Sequence, residues 1–219
     1  MTKHLHRDLE YLHGEILSLS AIVEEMINRL CRALVDGDRQ EAYNVIASDE
    51  QVDQLEVRVE DDCLKMLALH QPVASDLRRI ATVLKVNNDL ERIADLAVNV
   101  AERAIALYEC PEFPLPEKLG EMVEIAAEMV RMSLDTFVNL DARQARAICQ
   151  RDDEVDRLNE EIIAELIETM QRRPQCIPAA MHCFSAARHV ERIADHATNI
   201  AEDVIYLVEG DIVRHQHSS

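Results

Sequence analysis

Asp89-Leu90-Glu91-Arg92-Ile93-Ala94-Asp95-Leu96-Ala97-Val98-Asn99-Val100-Ala101-Glu102-Arg103 returns later in the chain as His189-Val190-Glu191-Arg192-Ile193-Ala194-Asp195-His196-Ala197-Thr198-Asn199-Ile200-Ala201-Glu202-Asp203, with nine of fifteen positions identical. Within the first copy, Leu90, Ile93, Ala97, Val100 and Ala104 are spaced three or four apart, the interval that lines one face of an α-helix. Working outward, Asp38 matches Asp141 and Ala42 matches Ala145. Likewise Asp49-x-x-Val52-Asp53-x-Leu55 matches Asp152-x-x-Val155-Asp156-x-Leu158. The offset is 103 in this region and 100 in the later one, so the second copy is three residues shorter. A chain that repeats itself in this way is a duplicated structural unit. The halves fall at residues 1–110 and 117–219, joined by Pro111-Glu112-Phe113-Pro114-Leu115-Pro116.

Proline divides each half into helices. Pro72, Pro174 and Pro178 join the linker prolines as the only prolines of the chain, and long proline-free runs lie between them. A proline inside a helix costs about 3 kcal/mol, so these positions mark boundaries. Two more breaks stand at Gly37-Asp38 and Asn139-Leu140-Asp141, each with an Asp able to cap the following helix. Six helices are expected, at 3–35, 39–70, 74–109, 117–139, 142–172 and 177–209. With four Gly, no Trp and three Phe in 219 residues, little favours a sheet. The expected fold is therefore all-α: two tandem, pseudo-symmetric three-helix bundles. In the fifth helix Val155, Leu158, Ile162 and Leu166 form a second core stripe.

The charge narrows the function. Forty-two acidic residues against 23 basic ones leave a net charge of −19, which repels nucleic-acid phosphates and anionic lipid. It also repels itself, unless cations or basic partners gather nearby. The polar start of the chain has no apolar run of the kind a secretory leader needs, and no stretch reaches the ~20 apolar residues of a membrane span. A cytoplasmic protein is expected, reaching the inner face of the membrane only through partners. Cys31, Cys63, Cys110, Cys149, Cys176 and Cys183 form no C-x-x-C pair and read as reduced residues of helical cores.

Carboxylates are what the two copies share. Glu91, Asp95 and Asn99 recur as Glu191, Asp195 and Asn199, each set on one stripe of its helix and followed by Glu102 or Glu202. Asp49 and Asp53, and their counterparts Asp152 and Asp156, are again four apart. Like charges at that spacing destabilise a helix by roughly 0.2–0.5 kcal/mol per pair. Their recurrence in both halves calls for a compensating interaction. Hard oxygen donors suit a multivalent cation, and carboxylates can bridge more than one ion. The alternative is a solvated acidic face paired with Arg92, Arg103, Arg188 or Arg192. Glu10-x-x-His13 has the spacing of a di-iron ligand pair, but it occurs once where two are needed. His189 and His196 flank the second stripe where the first copy has Asp89 and Leu96, and read as local hydrogen-bonding residues. No phosphate-cradling glycine loop and no nucleophile arrangement is present.

With these motifs assembled, the chain resembles the PhoU family of phosphate transport regulators. His70-Gln71-Pro72-Val73-Ala74-Ser75-Asp76-Leu77-Arg78 is similar to the family's Q-P-x-A-x-D-L-R connection. The two Glu-Arg-Ile-Ala-Asp copies, each with an Asn four residues on, resemble its E-R-I-G-D…N signature, and the paired Asp motifs sit where the family has its other acidic motif. Ala94 and Ala194 depart from the family's glycine. The resemblance implies multinuclear transition-metal clusters, of iron or of zinc, with ligands drawn from Asp49, Asp53, Glu91, Asp95, Asn99, Asp152, Asp156, Glu191, Asp195 and Asn199. It implies a non-enzymatic, homodimeric adaptor that restrains the phosphate-starvation response. Its partners would be the ATPase subunit of the phosphate ABC transporter and the sensor histidine kinase. The residues by themselves leave open a carboxylate-bridged di-metal enzyme or a metal-free helical adaptor.

Overall fold

The computed structural model describes residues 3–210. These form α1 (Lys3–Val35), α2 (Arg39–His70), α3 (Ala74–Tyr108), α4 (Glu117–Asn139), α5 (Ala142–Cys149), α6 (Asp152–Arg172) and α7 (Ile177–Glu209), with a 3-10 turn at Pro174–Cys176. No strand occurs among the described residues. The extreme ends of the two expected halves, residues 1–2 and 211–219, lie outside them.

Five of the six expected helices are continuous. The fifth is divided: α5 stops at Cys149, and Gln150 and Arg151 form a turn before α6. The reason is local. Asp152, Asp153 and Glu154 fill the first turn of α6, where negative charge favours a helix N-terminus and disfavours a helix interior. This discontinuity lies in the shortened second copy.

The remaining boundaries follow from capping chemistry. The Asp38 side chain accepts hydrogen bonds from the backbone N–H groups of Gln40 and Glu41 at the start of α2, and Asp141 accepts one from Gln144 at the start of α5. Gln71 and Leu140 end α2 and α4 in the left-handed conformation, at φ 46° and 54°. Pro178 sits in the first turn of α7, where a missing N–H leaves no helical bond unmade.

Each half is a three-layered unit, α1–α2–α3 and α4–α5/α6–α7, but the halves are not separate bodies. The most extensive helix pairing in the molecule is α3 with α7, and α1 also packs on α4. Buried residues of all seven helices form one continuous core. Leu90, Ile93, Ala97, Val100 and Ala104 on α3, and Val155, Leu158, Ile162 and Leu166 on α6, are buried as their spacing requires.

The α3–α7 seam is antiparallel. Lys85 Nζ meets Asp203 Oδ1 at 3.0 Å, and farther along Asp89 Oδ1 receives His196 Nδ1 at 2.8 Å and Asn199 Nδ2 at 3.5 Å. Ala94 and Ala194 are both buried, and Ala94, two turns on from Asn87, lies on the face that α3 turns to α2 rather than to α7.

Candidate functional site

Each half carries its acidic residues on two neighbouring helices, α2 and α3 in the first and α6 and α7 in the second. In the first half, Asp49 and Glu91 are half-buried and Asp53 lies at the rim. Partial burial pushes the Asp49 carboxyl above its ordinary range, and the charges of Asp53 and Asp95 add to the effect. Glu91 is raised by burial, then by Asp95, against an opposing pull from Arg92 and with Glu56 and Asp53 contributing further. Carboxylates of α2 and α3 therefore face one another and repel.

The second half repeats this more strongly. Asp152 is pushed up to about 6, by burial first and then by Asp195 and Asp156. Asp156 is raised by burial and by Asp153 and Glu160; Asp195 by desolvation and by Asp156. Glu191 is raised by burial, against the pull of Arg188. Bringing these acids together without a countercharge opposes folding, and a cation held between them would reverse the sign.

Arginines meet part of that demand. Arg92 reaches Glu91 at 3.3 Å and Asp95 at 3.4 Å, and Arg188 reaches Glu191 at 2.7 Å. The arginines lie at the exposed edge, where such pairs contribute only about 0–1 kcal/mol. They do not reach Asp49, Asp53 or Asp152. The donor chemistry therefore suits a hard or borderline cation. Among the described residues, however, no three His, Cys, Asp or Glu side chains converge closely enough to form a closed ligand cage.

The two asparagines are placed differently from the acids. Asn99 donates to the backbone carbonyl of Asp95 at 2.8 Å, and Asn199 turns across the seam toward Asp89. Two other asparagines reach the acidic groups instead. Asn87, buried on α3, donates to the Glu56 carbonyl at 3.0 Å and to its Oε1 at 3.1 Å. Asn159, buried on α6, donates to Glu191 Oε1 at 3.1 Å. Sequence reasoning missed Glu56, Asn87 and Asn159 because it kept only residues common to both copies. Glu56 corresponds to Asn159, and Asn87 to Ala187, so each half places its amide on the opposite helix.

Other candidates resolve locally. His13 packs toward Phe137 with ring centroids 6.4 Å apart, and burial and Arg79 lower its pKa; no di-iron pair forms around Glu10. His196 makes the hydrogen bond between halves described above. Burial and the nearby Arg192 and Arg103 lower the pKa of His189. The six cysteines are free thiols: Cys63, Cys149 and Cys183 are buried, while Cys31, Cys110 and Cys176 are partly exposed. No helix among the described residues is long and apolar enough to cross a membrane.

The comparisons with known proteins agree with this architecture. The PhoU domain model matches the chain twice, at residues 16–104 and 119–204. The phosphate-specific transport system accessory protein PhoU homolog of Aquifex aeolicus is 42% identical over 213 residues, covering 97% of this chain and 96% of that protein. The Escherichia coli accessory protein PhoU is 30% identical, covering 98% and 91%. The crystal structure of PhoU from Pseudomonas aeruginosa superposes with a TM-score of 0.88 at 39% identity, covering 94% of this chain and 99% of that one. The phosphate transport system regulatory protein PhoU from Streptococcus pneumoniae gives 0.87 at 29% identity, covering 95% and 99%. These relatives are named as accessory or regulatory proteins, not as enzymes. The chain belongs to the PhoU family.

Proposed function

We propose that this protein is a metal-binding cytoplasmic regulator of phosphate uptake, acting as an adaptor between the phosphate ABC transporter and its sensor histidine kinase and restraining the phosphate-starvation response. The observation that carries the reading is full-length similarity to phosphate-specific transport system accessory proteins. Paired, mutually repelling carboxylates in both halves support the metal component.

Asp49, Asp53, Glu91 and Asp95 would hold cations on the first half, and Asp152, Asp156, Glu191 and Asp195 on the second. Asn99 and Asn199 would join them by turning from their present partners. Bound iron or zinc would supply positive charge that ties α2 to α3 and α6 to α7. The protein works as a homodimer in this reading, with its transporter contact at the ATPase subunit.

Elemental analysis of purified protein beside the Glu191→Ala/Asp195→Ala variant tests the metal. Bound transition metal is expected in the parent, with a clear loss in the variant; equal metal in both, or none in either, sinks it. The regulatory role has a separate test. Deleting the gene is expected to switch on phosphate-starvation genes in phosphate-rich medium, and unchanged expression would count against that role.

A further inference from the structure

We propose that Cys110 and Cys176 form a redox-responsive thiol pair, which hydrogen peroxide closes into a disulfide between the linker joining the two halves and the turn that precedes α7. The seam supplies the first reason. Because α3 and α7 run antiparallel, the C-terminal end of α3 lies beside the N-terminal end of α7. Cys110 stands just beyond the last residue of α3, and Cys176 immediately before the first residue of α7. Both line a single open cleft of about 430 Å3, together with Phe113, Pro111, Gln175 and Pro178. Both are partly exposed, so an oxidant the size of water can reach them.

The other four cysteines are set apart by their surroundings. Burial pushes the Cys31 and Cys149 thiols up to about 11, and those of Cys63 and Cys183 up to about 12. Thiols held in that form are poor nucleophiles toward peroxide. They lie within α-helices, whereas Cys110 lies in the linker after α3 and Cys176 ends the 3-10 turn. A disulfide needs Cα atoms about 4.4–6.8 Å apart. Neither cysteine lies within an α-helix, so closing to that span moves linker and 3-10 backbone.

The chemistry closes without another reactant. The thiolate of one cysteine attacks a peroxide oxygen and the O–O bond breaks, giving a sulfenic acid and water after proton uptake. The second thiolate attacks the sulfenic sulfur. The S–S bond forms as the S–O bond breaks, and a second water leaves. Two thiols are oxidised, one peroxide is reduced to two waters, and a cellular dithiol reverses the step. The closed loop contains α4, α5 and α6, and the bond fixes the linker against the start of α7.

Full-length protein is reduced, freed of reductant, treated with a modest excess of hydrogen peroxide, and then unfolded, alkylated and mapped as peptides without reduction. A Cys110–Cys176 cross-linked peptide is expected, with two of the six thiols lost per chain and recovered by dithiothreitol. Cys110→Ser and Cys176→Ser, each checked for retained helicity, should each lose that peptide and gain no other cross-link within the chain. The proposal is overturned if both cysteines stay reduced, or if they pass separately to sulfinic or sulfonic acids. It is overturned equally by pairing with another cysteine, or by disulfide dimers on a non-reducing gel.

Discussion

Asp152 shows how strongly a single residue feels the crowding of carboxylates. Its pKa rises from an unfolded value of 3.8 to about 6, chiefly through burial and the charges of Asp195 and Asp156. Between those values the folded chain holds a proton that the unfolded chain releases, so this group's contribution to stability falls as pH rises. At pH 7 the full penalty is in place. For chelator-treated protein, we predict that Asp152→Asn raises stability at pH 7 by about 1 kcal/mol, after allowance for solvent screening of a half-buried group. The gain should vanish near pH 4, and thermal melts across that range would measure it. A gain independent of pH would show that the repulsion is not its origin. If the proposed cations bind, the same substitution would remove one of their proposed ligands and weaken metal retention.

Among the elements, α3 and α7 decide the shape of the molecule. Each packs against other helices of its own half and against the other across the seam. Ala94 and Ala194 lie on other packed faces of these helices, and their side chains are buried. We predict that Ala194→Leu destabilises the protein by about 1–3 kcal/mol through overpacking, read as a shift in the urea midpoint. An unchanged midpoint would mean that the core has slack around Ala194.

At the scale of the whole molecule, one core runs through both halves, although the chain is a tandem repeat. Separating the halves exposes the apolar seam of α3 and α7. Co-expressed pieces, residues 1–115 and 116–219, should therefore co-elute as one complex, whereas either piece alone should aggregate. Size-exclusion chromatography distinguishes these outcomes, and two folded monomeric halves eluting apart would contradict the single-core description.

The sequence by itself determined the helical class, the duplication and nearly every helix boundary. Proline geometry, capping by Asp38 and Asp141 and apolar periodicity are local properties, written within a few residues of where they act. It also determined which carboxylates recur in both halves. Only the tertiary structure decided how those groups are served. Asn199 turns to Asp89 across the seam, while Asn87 and Asn159 hold Glu56 and Glu191. It likewise divided the fifth helix at Gln150 and Arg151, and placed Cys110 and Cys176 along one cleft. Those partners come from different helices, and helical spacing tells which residues share a face but not which face of another helix they meet.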